Sequence, residues 1–190
     1  KVLVGEEAKG LSPSVVSRLK AQWAEEHARW KERDLGDKRY VYWWVDGIHT
    51  GLRAEEATDG QCLLVILGVT PEGRKERVAI GDGLRESKES WKELLLALKR
   101  RHLQHGPLLA VGDGAMGFWA ALEEVFPVTR AQRCWFHKMG NVLNALPRSQ
   151  HGRAKQALQE IWMSATRTEA VGAFEHFLST YGTKYPKATE

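Results

Sequence analysis

The chain has 190 residues, of which 43% are hydrophobic, so it can bury the core of one domain, and disorder is excluded as a description of the whole. Lys and Arg number 28 against 24 Asp and Glu, and the resulting net charge of +4 permits a polyanionic partner without requiring one. Two cysteines exclude a disulfide framework and no apolar run approaches the length of a membrane span, so we expect a cytoplasmic protein that does not enter a membrane.

The first predicted element is a long amphipathic helix over residues 11–33. Ser12 is a good N-cap, and Pro13 suits the first helical position. One face of this helix carries apolar residues and the opposite face carries charged ones. The eight tryptophans of the chain, Trp23 and Trp30 of this helix among them, are expected mainly in the core.

Three strands are predicted next. Residues 40–45 are all aromatic or β-branched, which predicts a buried strand that terminates at Asp46. The apolar run 62–69 and the partly alternating run 74–80 are separated by a short turn. Together these two runs predict a β-hairpin.

Helices and short strands alternate in the second half. Ser87 is the candidate N-cap of a helix over 86–102, and a short apolar strand over 108–111 leads to Asp113. The elements after it are predicted as a helix over 116–126, a strand within 128–135, a helix over 136–146 and two helices within 152–185. The helix that begins at Phe136 is expected to turn this side chain inward.

The order of these elements predicts the fold class. Three antiparallel strands precede parallel βα units, and helices cover the sheet, so the chain is an α/β protein. This is the element order of a ribonuclease H-like fold.

Two aspartates that follow apolar strands are the candidate catalytic and metal-binding residues. Asp46 and Asp113 are each followed by Gly, and strand ends in one sheet converge on one edge, so the two carboxylates can share a divalent cation. Carboxylate oxygens are ligands that Mg²⁺ prefers, and two bound metal ions can clamp the oxygens of a phosphoryl displacement. The alternative is an ordinary Asp-Gly turn at each position, and Asp82, also followed by Gly, has the same local appearance.

A C-x-x-H spacing joins Cys134 and His137 at a strand-to-helix junction. It is at most half of a zinc site, because structural zinc takes four ligands. His102, His105 or His151 could contribute a further ligand, but nothing in their spacing requires it. A packing or substrate-positioning role for Cys134 and His137 is the favoured interpretation.

The basic residues are concentrated in one stretch. Residues 125–159 contain six Lys or Arg and no acid, whereas the whole chain has an excess of only four. Such a stretch beside a carboxylate site suits a phosphodiester substrate. A solvated basic face is the alternative interpretation.

Several longer strings resemble the mutator-type family of bacterial insertion-sequence transposases. The match is carried by Val111-Gly112-Asp113-Gly114-Ala115 and by Gln132-Arg133-Cys134-Trp135-Phe136-His137-Lys138. The other matching segments are 11–20, 40–49, 61–68, 71–76, 85–101, 141–143 and 181–187. Together they cover nearly the entire chain.

The resemblance implies an Asp-Asp-Glu catalytic core with a ribonuclease H-like fold, interrupted by a helical insertion before the Glu. Asp46 matches the first acid and Asp113 the second, while Cys134 and His137 match the family's C-x-x-H signature. It implies a two-metal site for Mg²⁺ or Mn²⁺, at which water and then a DNA 3′-hydroxyl are activated for strand cleavage and strand transfer.

The resemblance also implies the partners and the domains. Double-stranded DNA, both the transposon ends and the target, is the expected partner, and the protein is expected to form homo-oligomers. The expected DNA-binding residues are the six basic residues of the acid-free stretch, Arg130, Arg133, Lys138, Arg148, Arg153 and Lys155, together with Asn141 of a matching segment. The expected domains are a helical N-terminal segment that ends the DNA-binding region (1–38), the first part of the catalytic core (39–147) and the start of the helical insertion domain (148–190).

Two departures from the family pattern are expected to matter. The third acid of the family lies downstream of residue 187, and Glu190 matches no catalytic motif, so this chain alone is expected to be inactive. Gly140 stands where many relatives carry an Arg. The alternative function is a truncated, inactive remnant that binds DNA or a complete transposase.

Overall fold

The computed structural model describes residues 12–53, 60–83, 86–114 and 116–190. The first element is helix α1 (Pro13–Glu32). It begins as predicted, because the Ser12 hydroxyl accepts a hydrogen bond from the Val15 N–H at 3.3 Å. No side chain of α1, which is described throughout, is buried. Its apolar face therefore adds nothing to the core.

Five strands form one mixed sheet. They are β1 (Tyr42–Arg53), β2 (Gly60–Val69), β3 (Lys75–Gly83), β4 (Leu109–Gly112) and β5 (Arg130–Arg133). Their order is β3-β2-β1-β4-β5, in which the β3–β2 and β2–β1 pairs are antiparallel and the β1–β4 and β4–β5 pairs are parallel. This order and these directions confirm the predicted ribonuclease H-like α/β fold.

The helices after β3 alternate with the parallel strands and then follow one another. They are α2 (Lys88–Arg100), α3 (Met116–Val125), α4 (Trp135–Asn144), α5 (His151–Met163), α6 (Arg167–Tyr181) and α7 (Pro186–Thr189). Ser87 caps α2 as predicted, since its hydroxyl accepts a hydrogen bond from the Ser90 N–H at 3.1 Å. None of the described helices combines the length and the apolarity needed to cross a membrane.

Helices α2 and α3 cover one face of the sheet, and the main core lies between them and the strands. Trp43 of β1 packs edge-on against Phe126, and Trp91 of α2 packs in the same way against Phe118 of α3. Side chains alternate between faces along a strand, so Trp43 is buried whereas its neighbour Trp44 is exposed. The expectation that most tryptophans lie in the core holds for half of them: Trp43 and Trp91 are fully buried and Trp119 and Trp162 pack against the two cores, whereas Trp23, Trp44 and Trp135 are exposed.

A second, smaller core joins the helices from α4 onward. Val142 of α4 packs with Leu158 of α5 and Phe177 of α6. The expectation that Phe136 turns inward is wrong, because Phe136 is 72% exposed and its neighbour Trp135 makes the contact, with its ring 5.2 Å from that of Trp162. The domain boundaries at residues 38 and 147 stay predictions.

Candidate active site

Asp46 and Asp113 stand at the place where two neighbouring parallel strands separate. The parallel pairing of β1 with β4 ends at Val45 and Gly112. Asp46 directly follows Val45, and Asp113 directly follows Gly112. Paired strands are spaced by about 4.8 Å, so the two aspartates leave the pairing side by side. Both are exposed.

The strand that carries Asp46 continues beyond it. The prediction that this strand terminates at Asp46 is wrong, because β1 runs to Arg53 and Asp46 pairs with Val65 of β2. The antiparallel partner β2 continues to supply hydrogen bonds after β4 has ended. What ends at Asp46 is therefore the parallel pairing, and from this point one flank of β1 has no partner strand among the described residues.

The end of β4 is fixed by hydrogen bonds from two elements. The indole N–H of Trp119 in α3 donates to the carbonyl oxygen of Asp113 at 2.9 Å, and the N–H of Cys134 donates to the carbonyl oxygen of Gly112 at 2.8 Å. The Gly114 N–H donates to Oδ1 of Asp113 at 2.6 Å. The carboxylate of Asp113 is thus held at a defined position while it stays open to solvent.

The C-x-x-H residues lie beside Asp46. Cys134 and His137 line a cavity of about 200 Å³ together with Asp46 and Gly112. Nδ1 of His137 is buried and has no hydrogen-bond partner among the described residues. Among the described residues, no group of three His, Cys, Asp or Glu side chains is placed to share a metal ion. The structure therefore offers no further zinc ligands beside Cys134 and His137 in the part of the chain that it describes.

A third carboxylate that the sequence reasoning missed, Glu86, lies close to this edge. Its carboxyl group sits over Gly47, where an added Cβ would overlap it, and its Oε2 is 3.8 Å from Nε2 of His49. Burial raises the pKa of Glu86, and the negative charges of Asp46 and Asp113 raise it further, while His49 and His137 act in the opposite direction. The position just before the Ser87 cap was the available signal, but that position alone does not indicate a site.

The predicted DNA-binding residues are all exposed, but the structure does not gather them at one place. They are Arg130 and Arg133 on β5, Lys138 and Asn141 on α4, Arg148 in a short 3₁₀ turn, and Arg153 and Lys155 on α5. The guanidinium of Arg133 lies against Gly114, next to Asp113. Arg130 is at the opposite end of β5, about 10 Å away along the strand.

Two solved structures are similar to parts of the chain. A chain of the simian T-cell lymphotropic virus intasome in complex with PP2A regulatory subunit B56 gamma aligns with a TM-score of 0.34 and 14% identity, over 77% of this chain and 49% of that one. The catalytic core domain of BIV integrase aligns with a TM-score of 0.30 and 12% identity, over 74% of this chain and 82% of that one.

Sequence relatives cover nearly the whole chain. The transposase for insertion sequence element IST2 of Acidithiobacillus ferrooxidans is 53% identical over 98% of this chain, and that for element IS6120 of Mycolicibacterium smegmatis is 52% identical over 94%. The chain spans 62% and 54% of the lengths of these two proteins. Residues 3–190 match the family described as "Transposase, Mutator family". The chain belongs to the mutator family of transposases.

Proposed function

We propose that this chain carries the first two catalytic acids of a transposase that cleaves DNA strands and transfers them in a metal-dependent reaction. The observation that carries the proposal is the placement of Asp46 and Asp113, one residue past the last parallel pair of β1 and β4. Asp82, which is also followed by Gly, lies on β3, and β2 and β1 separate that strand from β4. This difference in strand position supports Asp46 and Asp113, rather than Asp82, as the proposed catalytic acids.

Asp46 and Asp113 are the residues that would hold Mg²⁺ or Mn²⁺. Both are exposed carboxylates on neighbouring strands, and their oxygens are the donors that these ions prefer, so the residues fit the metal. A pair of bound metal ions supplies a clamp on the attacking and leaving oxygens of an in-line phosphoryl transfer. The contribution of the chain is rigidity, because the hydrogen bonds from Trp119 and Cys134 fix the backbone that presents Asp113.

Cys134 and His137 have a positioning role in this proposal. They line the cavity that also contains Asp46, and the backbone N–H of Cys134 is tied to Gly112. Nδ1 of His137 is buried and has no hydrogen-bond partner among the described residues, and in this proposal a polar group of the substrate that enters the cavity supplies one. Such a contact orients the imidazole beside the reacting phosphate.

Double-stranded DNA, as transposon ends and target, is the proposed substrate, and the complete protein is proposed to act in the cytoplasm as a homo-oligomer. The acid-free stretch from residue 125 to 159 supports a DNA path, because its six Lys and Arg side chains are all exposed. Arg133 connects this stretch to the carboxylate edge through its contact at Gly114. The boundaries of the insertion domain, 148–190, are part of the same proposal.

The test is strand cleavage of transposon-end DNA by the complete protein that contains this chain. Asp46→Asn and Asp113→Asn should each reduce cleavage at least about a hundredfold with the fold intact, since each removes a metal-binding charge. Asp82→Asn is the matched control and should cleave normally. Normal cleavage by either Asp46→Asn or Asp113→Asn would contradict the proposal, and salt-dependent DNA binding without any cleavage would favour the truncated DNA-binding alternative.

A further inference from the structure

We propose that Glu86 is a positioning residue of the carboxylate site, which strengthens the binding of a divalent cation at Asp46 and Asp113 through its negative charge. This inference rests on the proposed function, in which those two aspartates hold Mg²⁺ or Mn²⁺. It assigns to the site a third acid from within the chain, at a place where the sequence pattern predicted only the start of a helix.

The sheet leaves a gap beside β1. β4 ends at Gly112, whereas β1 continues to Arg53, so within the described part of the chain no strand lies beside the flank of β1 just beyond Asp46. Glu86 lies at this flank, with its carboxyl group over Gly47 and facing His49. Gly47 falls on the same face of β1 as the buried Val45, so Glu86 approaches from the helix-covered side.

The backbone of Glu86 is held in place. Ser87 caps α2 directly after it. The carbonyl of Glu86 packs so closely on Gly117 of α3 that an added Cβ there would lie 2.6 Å from the carbonyl oxygen. Helix α3 follows Asp113 along the chain, so one helix holds both Asp113, through Trp119, and the segment that carries Glu86.

The role of Glu86 is electrostatic. The half-buried carboxylate of Glu86 lies over the residue after Asp46, and the charges of Asp46, Asp113, His49 and His137 all act on it. Negative charges that act on one another across the edge of the sheet repel unless a nearby cation offsets them. A third negative charge therefore raises the affinity of the site for a divalent cation more than for a monovalent one.

A helix-capping role does not explain this placement. Ser87 already accepts the hydrogen bond from the first turn of α2, and Glu89 already supplies an acid to that turn. The carboxyl group of Glu86 is directed to Gly47 of β1. Because Glu86 and the two aspartates are not at distances at which they would jointly ligate an ion in the described structure, Glu86 acts through its charge on the cation that the aspartates hold.

The experiment is a titration of the chain with Mn²⁺ alone, followed by electron paramagnetic resonance of the free ion. Glu86→Gln should weaken Mn²⁺ binding about tenfold, the lower end of the effect of residues that support metal ligands, and Glu86→Asp should restore part of it. Glu93→Gln removes an exposed charge from α2 and is the matched control, which should bind like the wild type. Circular dichroism checks that each variant is folded.

A second measurement separates positioning from a structural role. In the complete protein, Glu86→Gln should raise the Mg²⁺ concentration for half-maximal cleavage about tenfold and leave the rate at saturating Mg²⁺ unchanged, whereas a structural defect lowers that rate at every concentration. Unchanged Mn²⁺ affinity in Glu86→Gln, with binding lost in Asp46→Asn, would overturn this inference and leave the proposed function intact. Unchanged binding in Asp46→Asn and Asp113→Asn, or no binding by the wild type, would contradict both.

Discussion

Gly47 of β1 lies directly beneath the carboxyl group of Glu86, and a Cβ at position 47 would overlap that group. Asp46 precedes Gly47, so β1 has a carboxylate on one face and, on the other face, a position without a side chain. The carboxyl group of Glu86 fills the space that a side chain at position 47 would take. A glycine at this place in β1 is thus explained by close approach of a side chain, rather than by a turn.

The first prediction concerns Gly47→Ala. The new methyl group should displace the Glu86 carboxyl group and weaken Mn²⁺ binding in the same direction as Glu86→Gln. The free energy of unfolding should change by less than about 1 kcal/mol, because the far end of a flexible side chain can move aside and alanine stiffens the unfolded chain. Titration with Mn²⁺ and urea unfolding measure the two effects.

The double variant Gly47→Ala with Glu86→Gln provides the control for this prediction. If the glycine acts only through Glu86, the double variant should bind Mn²⁺ no more weakly than Glu86→Gln alone. Additive losses would show that Gly47 affects the aspartates by a separate route.

The second prediction concerns the pH dependence of stability. Burial and the charges of Asp46 and Asp113 raise the pKa of Glu86 in the folded chain, so its ionisation opposes folding. Glu86→Gln should therefore be more stable than the wild type at neutral pH. This gain should shrink as pH falls toward the ordinary carboxyl pKa of 4.5, where the wild-type side chain becomes protonated.

Thermal unfolding with and without Mn²⁺ checks this prediction. Added Mn²⁺ should stabilise the wild type more than the Glu86→Gln variant, because the ion binds the folded wild type more tightly. A Glu86→Gln variant that is less stable than the wild type at neutral pH would show that Glu86 is a structural residue.

The sequence predicted the fold well because the relevant patterns are local. The Ser12 and Ser87 caps and the apolar strand runs are each contained in a few residues, and their order is enough to predict the sheet. The continuation of β1 past Asp46 was missed, since pairing with β2 supports residues that lack an apolar pattern. The exposure of Phe136 was missed because helical periodicity shows which residues share a face of the helix, but not how far another element covers that face.

The candidate site was predictable only in part. Asp46 and Asp82 are both followed by Gly, and the difference in their positions relative to Asp113 follows from strand order. Nothing in the local sequence distinguishes Glu86 from Glu89 or Glu93, because its nearness to the aspartates depends on β4 being shorter than β1 and on Gly47 being empty. These are properties of the assembled sheet.

The third prediction concerns the ion pairs that join α2 to α3. Lys88 and Lys92 of α2 both contact the carboxylate of Glu124 in α3, the latter at 2.6 Å. Hydrogen bonds from Lys88 and Lys92 lower the pKa of Glu124 to about 2 from its ordinary value of 4.5. The stabilisation by these ion pairs is fully present above pH 4.5 and is lost as pH falls toward 2. Glu124→Gln should therefore be less stable than the wild type at neutral pH, and this difference should disappear near pH 2.

Urea unfolding at several pH values tests this, with Glu123→Gln as the control for loss of an exposed acid on the same helix. Equal stability of Glu124→Gln and the wild type at neutral pH would show that the exposed pairs contribute nothing measurable.

The fourth prediction compares two helical glycines. A Cβ at Gly117 would lie 2.6 Å from the Glu86 carbonyl oxygen, and backbone cannot move aside as a side chain does, so Gly117→Ala should cost about 1–3 kcal/mol. Gly172 in α6 has open space around its missing Cβ, so Gly172→Ala should stabilise the fold by about 0.5–1 kcal/mol. Thermal unfolding of both variants measures the contrast, and destabilisation by both would contradict it.

The fifth prediction concerns the proposed DNA path. A side chain that neutralises one phosphate contributes about 0.9 to the slope of the logarithm of the binding constant against the logarithm of salt concentration. Arg133→Ala removes an exposed charge next to Asp113 and should reduce this slope by about that amount for a DNA duplex. Arg74→Ala is the matched control, since Arg74 is equally an exposed arginine but lies between β2 and β3, at the opposite edge of the sheet. Equal slopes for Arg133→Ala and the wild type would exclude Arg133 from the DNA path, and equal reductions in both variants would show binding through overall charge rather than through the face beside the two aspartates.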